Sequence, residues 1–277
     1  MIRAWIMAGV TFREAARKRV LWMALFAGLA FLLLFAIALH FQVAQFNERP
    51  MQSFIRRQAL SGMLTVGLYA IDLLVVAMTV LISVDTLSGE IASGTIQAVA
   101  TKPVRRWEVL IGKWLGFAAM LTLYIFAMVG GINLITHLMA GVAAHHITQG
   151  SSLIWLESML LLSLTFFFGT SFATLTNGVL VLGLHGLAFL GGWIEQAGAL
   201  TNTPKAVEVG IIASILMPSE ALWRRAAFEM QSPLTTALSF SPFSGASVPS
   251  AAMIVYAVLY TSVFLALAIW RLNTRDL

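Results

Sequence analysis

Two residues able to hold a proton or a cation stand where water is scarce: Asp72 lies within the apolar run 63–84, and His185 within 179–194. An acidic side chain near the middle of a spanning helix costs roughly 2.5–3.5 kcal/mol on insertion scales. Asp72 must therefore face protein or water rather than lipid. Thr65, Tyr69, Thr79 and Ser83 recur with it at helical spacing and mark the side that avoids lipid. Tyr69, Asp72 and His185 are thus the candidate lining of a transport path. Two readings stay open for Asp72: action on a cation or polar head group, or a hydrogen-bonded carboxyl that fixes helix packing. For His185, a neutral imidazole bonded to a neighbouring helix is favoured over a relay role.

Other chemistries lack their residues. A phosphate-binding loop ends in Gly-Lys-Ser/Thr, and the one Gly-Lys pair, Gly112-Lys113, is followed by Trp114. There is no H-E-x-x-H and no nucleophile elbow. His145-His146 are adjacent, point about 100° apart on a helix and have no carboxylate at ligand spacing, so they read as solvated. With no cysteine there is no disulfide or thiolate metal site. Thirteen methionines without a Met-x-x-Met cluster read as packing. The chain is expected to be neither an enzyme nor the holder of a cofactor.

The elements that position these residues follow from composition. With 59% hydrophobic residues, 10% charged and a mean hydropathy of +0.88, the chain is too apolar for a soluble domain. An all-α polytopic membrane protein is predicted, one domain over 1–277, with spans at 20–40, 63–84, 110–139, 153–175, 179–194 and 251–270. Residues 1–19 form an interfacial elbow helix, with Ile2, Trp5, Ile6, Phe12 and Ala16 on its apolar face. The run 20–40 is longer than a signal-peptide core, so it is taken as an uncleaved span. Thr176-Asn177-Gly178 is expected to turn the chain between spans four and five. The polar residues 41–62 form one outer region and 196–250 another; the latter carries two surface helices, 207–216 and 219–230, and offers a surface for an outer-side partner.

Net charge is +5, but the basic residues are dispersed beside apolar runs, which suits topology signals and not nucleic acid. Eleven Lys and Arg fall in the three inner regions and six in the two long outer ones. Both termini are therefore expected in the cytoplasm, with the bilayer of the inner (plasma) membrane around the spans.

The longest polar interruption on the inner side is 85–116. Gly89 and Gly94 should weaken the helix after span two and turn it parallel to the surface; Pro103 suits a new helix start, with Trp107 and Trp114 at the interface. Glu90, Gly94 and Thr95 read E-x-x-x-G-T, followed by Lys102-Pro103-Val104, Arg106, Leu110-Ile111-Gly112-Lys113 and Gly116. A second patch, Leu216-Met217-Pro218-Ser219-Glu220, is similar to an L-N-P-[ST]-[DE] segment in a last outer loop, with Met217 in place of Asn. The ordered set resembles the membrane subunits of ABC-2 family ABC transporters, in particular NosY-like permeases.

That resemblance implies a coupling helix between spans two and three that docks on a separate ABC ATP-binding subunit. Glu90, Gly94, Thr95, Pro103, Arg106, Gly112 and Lys113 are the candidate coupling residues. It further implies that ATP and Mg belong to that partner, and that this chain is the permease subunit of an exporter. Two docking surfaces on a two-fold axis imply a homodimer, and Gly112-x-x-x-Gly116 offers close helix approach. An ATP-independent ion-coupled transporter or an assembly scaffold is the alternative.

Overall fold

The computed structural model describes residues 2–48, 52–92, 105–231 and 247–274. These residues form nine helices and no strand. In chain order the helices are α1 (Ile2–Arg17), α2 (Arg19–Glu48), α3 (Ser53–Ala92), α4 (Arg106–Ala140), α5 (Ile147–Gly169), α6 (Thr174–Leu200), α7 (Pro204–Leu216), α8 (Ser219–Met230) and α9 (Ala251–Thr274). Six of them, α2 to α6 and α9, are long and apolar enough to cross a membrane.

Burial ranks the six. About 72% of the apolar window of α5 is buried but only 17% of those of α2 and α9, so α5 is the central helix and α2 and α9 are peripheral. The core between them is formed by Leu68, Ile71 and Met78 of α3, Leu121, Tyr124 and Ile132 of α4, and Leu160, Leu164 and Phe166 of α5.

Several helices are longer than the apolar runs that predict them. Helix α2 continues through the expected outer loop to Glu48, and α3 resumes at Ser53. Helix α3 does not weaken at Gly89 but runs on to Ala92; at 1.5 Å per residue its 40 residues reach about 60 Å, twice the hydrocarbon core. Hydropathy marks only the part of a helix that meets lipid, and polar ends remain helical where neighbouring helices hold them.

The turn between the fourth and fifth spans lies earlier than expected. Helix α5 ends at Gly169, and Thr174 already begins α6. Asn177 is helical and buried, its amide donating to the Thr165 and Val84 carbonyls at 3.0 and 3.3 Å. An Asn-Gly pair signals a turn only when its side chain lacks such partners.

On α1 the expected apolar face and the face that packs on α4 are different ones. Trp5 and Ile6 are exposed, whereas Ala4, Ala8, Thr11 and Ala15 are buried. The small residues win because they allow backbone contact: a Cβ on Gly112 would stand 2.7 Å from the Ala4 carbonyl oxygen, and one on Gly116 2.8 Å from that of Ala8. Gly112-x-x-x-Gly116 thus receives α1 of the same chain.

Candidate functional site

The residues 196–230, expected as surface structure, instead return into the protein. Asn202, with φ of 52°, reverses the chain after α6; asparagine tolerates this left-handed geometry better than most side chains. Helix α7 then runs back along α6 in close contact. A Cβ on Gly198 would be 2.7 Å from Ala206 Cβ, and one on Gly210 would be 2.7 Å from the Gly191 carbonyl oxygen. After α7 the chain bends by 107° into α8. Pro218 stands at this bend, where it cannot donate to a continuing helix.

The bend delivers Ser219 and Glu220 to the interior, with Ser219 fully buried and Glu220 3% exposed. Ser219 Oγ lies 3.0 Å from Nδ1 of His185. Gly192 leaves room for the Glu220 side chain, because a Cβ there would meet Glu220 Cγ at 2.6 Å. Helix α8 then leads outward, and its last carbonyls, on Glu229 and Met230, accept the His146 and His145 backbone N–H groups. It is a buried helix and not a surface one.

Around this tip four helices place ionisable groups. Asp72 is the twentieth of 40 residues in α3, Glu157 the eleventh of 23 in α5 and His185 the twelfth of 27 in α6, so all three sit near mid-helix. His185 Nδ1 is 3.8 Å from Glu157 Oε1. The Asp72 and Glu157 carboxyls are within hydrogen-bonding reach of each other, and Glu220 is close enough to interact electrostatically with both. Thr65 and Thr79, on the same side of α3, bond to carbonyls of their own helix, of Ser61 and Val75.

One turn outward, Arg224 of α8 donates to Glu195 Oε2 at 2.8 Å and to Ser214 Oγ at 3.3 Å. This buried pair ties α8 to α6 and α7. Ser247 also bonds to Glu195. Tyr69 packs edge-on against Trp223 at 5.2 Å between ring centres, and its hydroxyl accepts from Trp193 Nε1 at 3.2 Å. Tyr69, Asp72 and His185, proposed as path residues from sequence, thus border one polar centre.

The described coupling candidates lie at the C-terminal end of α3 and the start of α4. Glu90 forms an ion pair with Lys113 of α4, and the Lys113 side chain is 7% exposed. Beside it a cavity of about 340 Å³ is bounded by Thr11, Glu14, Lys18, Asp85, Thr86 and Phe117. Arg106 donates to the Leu272 carbonyl at 3.2 Å, joining the start of α4 to the end of α9. Gly112 lies under α1. Gly94, Thr95 and Pro103, with most of the expected coupling helix, fall outside the described residues. Trp114, expected at the interface, donates its indole N–H to Ser163 Oγ of α5 at 3.0 Å.

The protein-family model described as ABC-2 family transporter protein matches residues 5–277. The chain belongs to the ABC-2 transporter family. No curated protein matches the sequence. Membership agrees with six membrane-crossing helices, and makes this chain a multi-pass permease subunit whose expected partner is an ABC ATP-binding subunit.

Glu157 of this ABC-2 permease is a site residue beyond Tyr69, Asp72 and His185. The signal was present: an acid in Trp155-Leu156-Glu157-Ser158-Met159 is as costly inside a span as Asp72, and the same argument applies. Glu195 and Arg224 were hidden differently, because a charged residue just past the end of an expected span, or in a polar outer region, carries no warning of burial.

Proposed function

We propose that this permease is the membrane subunit of an exporter of NosY-like type. In this reading two copies pair, and each engages a separate ATP-hydrolysing subunit on the cytoplasmic side through residues 90–106. ATP and Mg are bound by that partner. This chain converts closure of the paired ATPases into a change in the tilt of α3 and α4, and so into transport or mechanical work across the bilayer.

The observation that carries the reading is the Glu90–Lys113 ion pair. It stands where α3 leaves toward the segment bearing Gly94, Thr95 and Pro103, and it fixes that exit to α4, on which α1 is packed through Gly112 and Gly116. A push on the segment would therefore be transmitted to three helices instead of being lost in a loose loop. With the Arg106 bond to Leu272, it would also reach α9.

The test is coexpression and copurification of this chain with an ABC ATP-binding subunit from the same genome, followed by mass measurement in detergent. A complex of two permease and two ATPase chains, with hydrolysis that depends on the permease, is expected. A lone permease that transports without nucleotide would overturn the reading and favour an ion-coupled transporter, for which the buried acidic centre is the supporting observation.

A further inference from the structure

The centre at Asp72 holds more acid than its surroundings can balance. Asp72, Glu157 and Glu220 are 3%, 1% and 3% exposed, and among the described residues the other ionisable groups that interact with them or with their partners lie on three helices. They are Tyr69 on α3, His185 and Glu195 on α6, and Arg224 on α8. Arg224 already has Glu195 as its carboxylate partner at 2.8 Å. Even a charged His185 would leave two of the three acids unbalanced, and bare carboxylates are not stable in such surroundings.

The hydrogen bonds point the same way. Among the described residues no N–H or O–H donates to Asp72 Oδ1 or to either oxygen of Glu157, yet these two carboxyls are within bonding reach of each other. Two carboxylate acceptors bond only when a proton lies between them. His185 Nε2 is likewise buried and without a partner. No set of three His, Asp or Glu among the described residues is arranged to hold a metal ion.

A small cavity borders the centre at Glu220. Tyr69, Glu220, Arg224, Thr65 and Gln231 line a cavity of about 20 Å³, room for about one water. Glu220 both lines this cavity and interacts electrostatically with Asp72 and Glu157.

We propose that Asp72, Glu157 and Glu220, with His185, form a proton-binding site inside the permease. The Asp72–Glu157 pair shares a proton, and Glu220 exchanges it with water in the Tyr69 cavity. In each transfer an O–H bond to one carboxyl oxygen breaks as an O–H bond to water or to the next carboxyl forms. Because Ser219 and Glu220 sit at the α7–α8 bend, loading and unloading of the site alters the charge that this tip must accommodate. The proposal concerns this chain alone and does not depend on the ATPase partner.

The test is infrared spectroscopy of the purified full chain in lipid vesicles, titrated in pH and exchanged into D₂O. Absorption from a protonated carboxyl is expected near neutral pH, shifted by D₂O, and reduced in both Asp72→Asn and Glu157→Gln. Glu208→Gln, at an exposed position on α7, should leave it unchanged. Two variants on different helices guard against one failing to fold, which far-ultraviolet circular dichroism would reveal. Absence of the band from the wild-type protein, or its persistence in both folded variants, would overturn the proposal. So would its loss on adding Na⁺, K⁺ or Ca²⁺ at constant pH, since the occupant would then be a metal cation.

Discussion

Ser219 Oγ lies 3.0 Å from His185 Nδ1, so the first residue of α8 is bonded to the middle of α6 deep in the protein. That contact holds the bend between α7 and α8 at the level of the buried acids. Removing one partner of a buried hydrogen bond leaves the other unsatisfied, at a cost of about 1–3 kcal/mol. Ser219→Ala should therefore lower the thermal unfolding midpoint of the detergent-purified chain, whereas Ser152→Ala, at an exposed position, should not. Equal midpoints would mean that the bend is held by packing alone.

The return of α7 along α6 depends on close backbone approach. A Cβ on Gly210 would stand 2.3 Å from Glu195 Cβ and 2.7 Å from the Gly191 carbonyl oxygen, and backbone does not move aside cheaply. Gly210→Val should push α7 and α8 out of place. The chain has no cysteine, so a single cysteine at Met217 reports the position of the bend. It should resist a membrane-impermeant maleimide in the parent and react in the Gly210→Val background. Gly183→Ala, where a Cβ meets nothing within 4 Å, should leave labelling unchanged.

The six membrane-crossing helices were legible because lipid demands runs of about 20 apolar residues, a one-dimensional requirement. Asp72 was legible for the same reason, as an exception within such a run. The α7–α8 return was not. Its evidence in the sequence is a scatter of small residues, Gly191, Gly198, Ala206, Gly210 and Ala213, which acquire meaning only when two helices lie side by side. Gly112-x-x-x-Gly116 shows the converse: its spacing was offered as a close approach between two copies, and within the chain it is Ala4 and Ala8 of α1 that lie against it.

Arg224 and Glu195 form a buried ion pair at 2.8 Å, their side chains 4% and 6% exposed. Breaking such a pair leaves a charge without compensation, typically about 3–5 kcal/mol, while replacing both partners by apolar groups is often nearly neutral. Glu195→Met should strongly destabilise the purified chain, and adding Arg224→Met should recover much of the loss. If the double variant is as unstable as the single one, shape and the Ser214 and Ser247 contacts outweigh the charge balance.

Glu90 and Lys113 allow a structural tie to be separated from a docking contact. Their side chains are 25% and 7% exposed, so losing one partner leaves mainly the lysine uncompensated, and partial exposure reduces the cost to about 1–3 kcal/mol. Glu90→Lys brings two cations together where α3 meets α4, and Lys113→Glu brings two anions together. Each should lower the stability of the permease on its own and weaken its hold on the ATP-binding subunit. The double exchange, Glu90→Lys with Lys113→Glu, restores opposite charges within the chain but reverses the sign of any charge offered to the partner. If the pair works by fixing the exit of α3, the double variant should regain both stability and permease-dependent ATP hydrolysis. If Glu90 instead contacts the ATPase directly, stability should return while hydrolysis stays low; the two assays on one variant therefore decide between the roles.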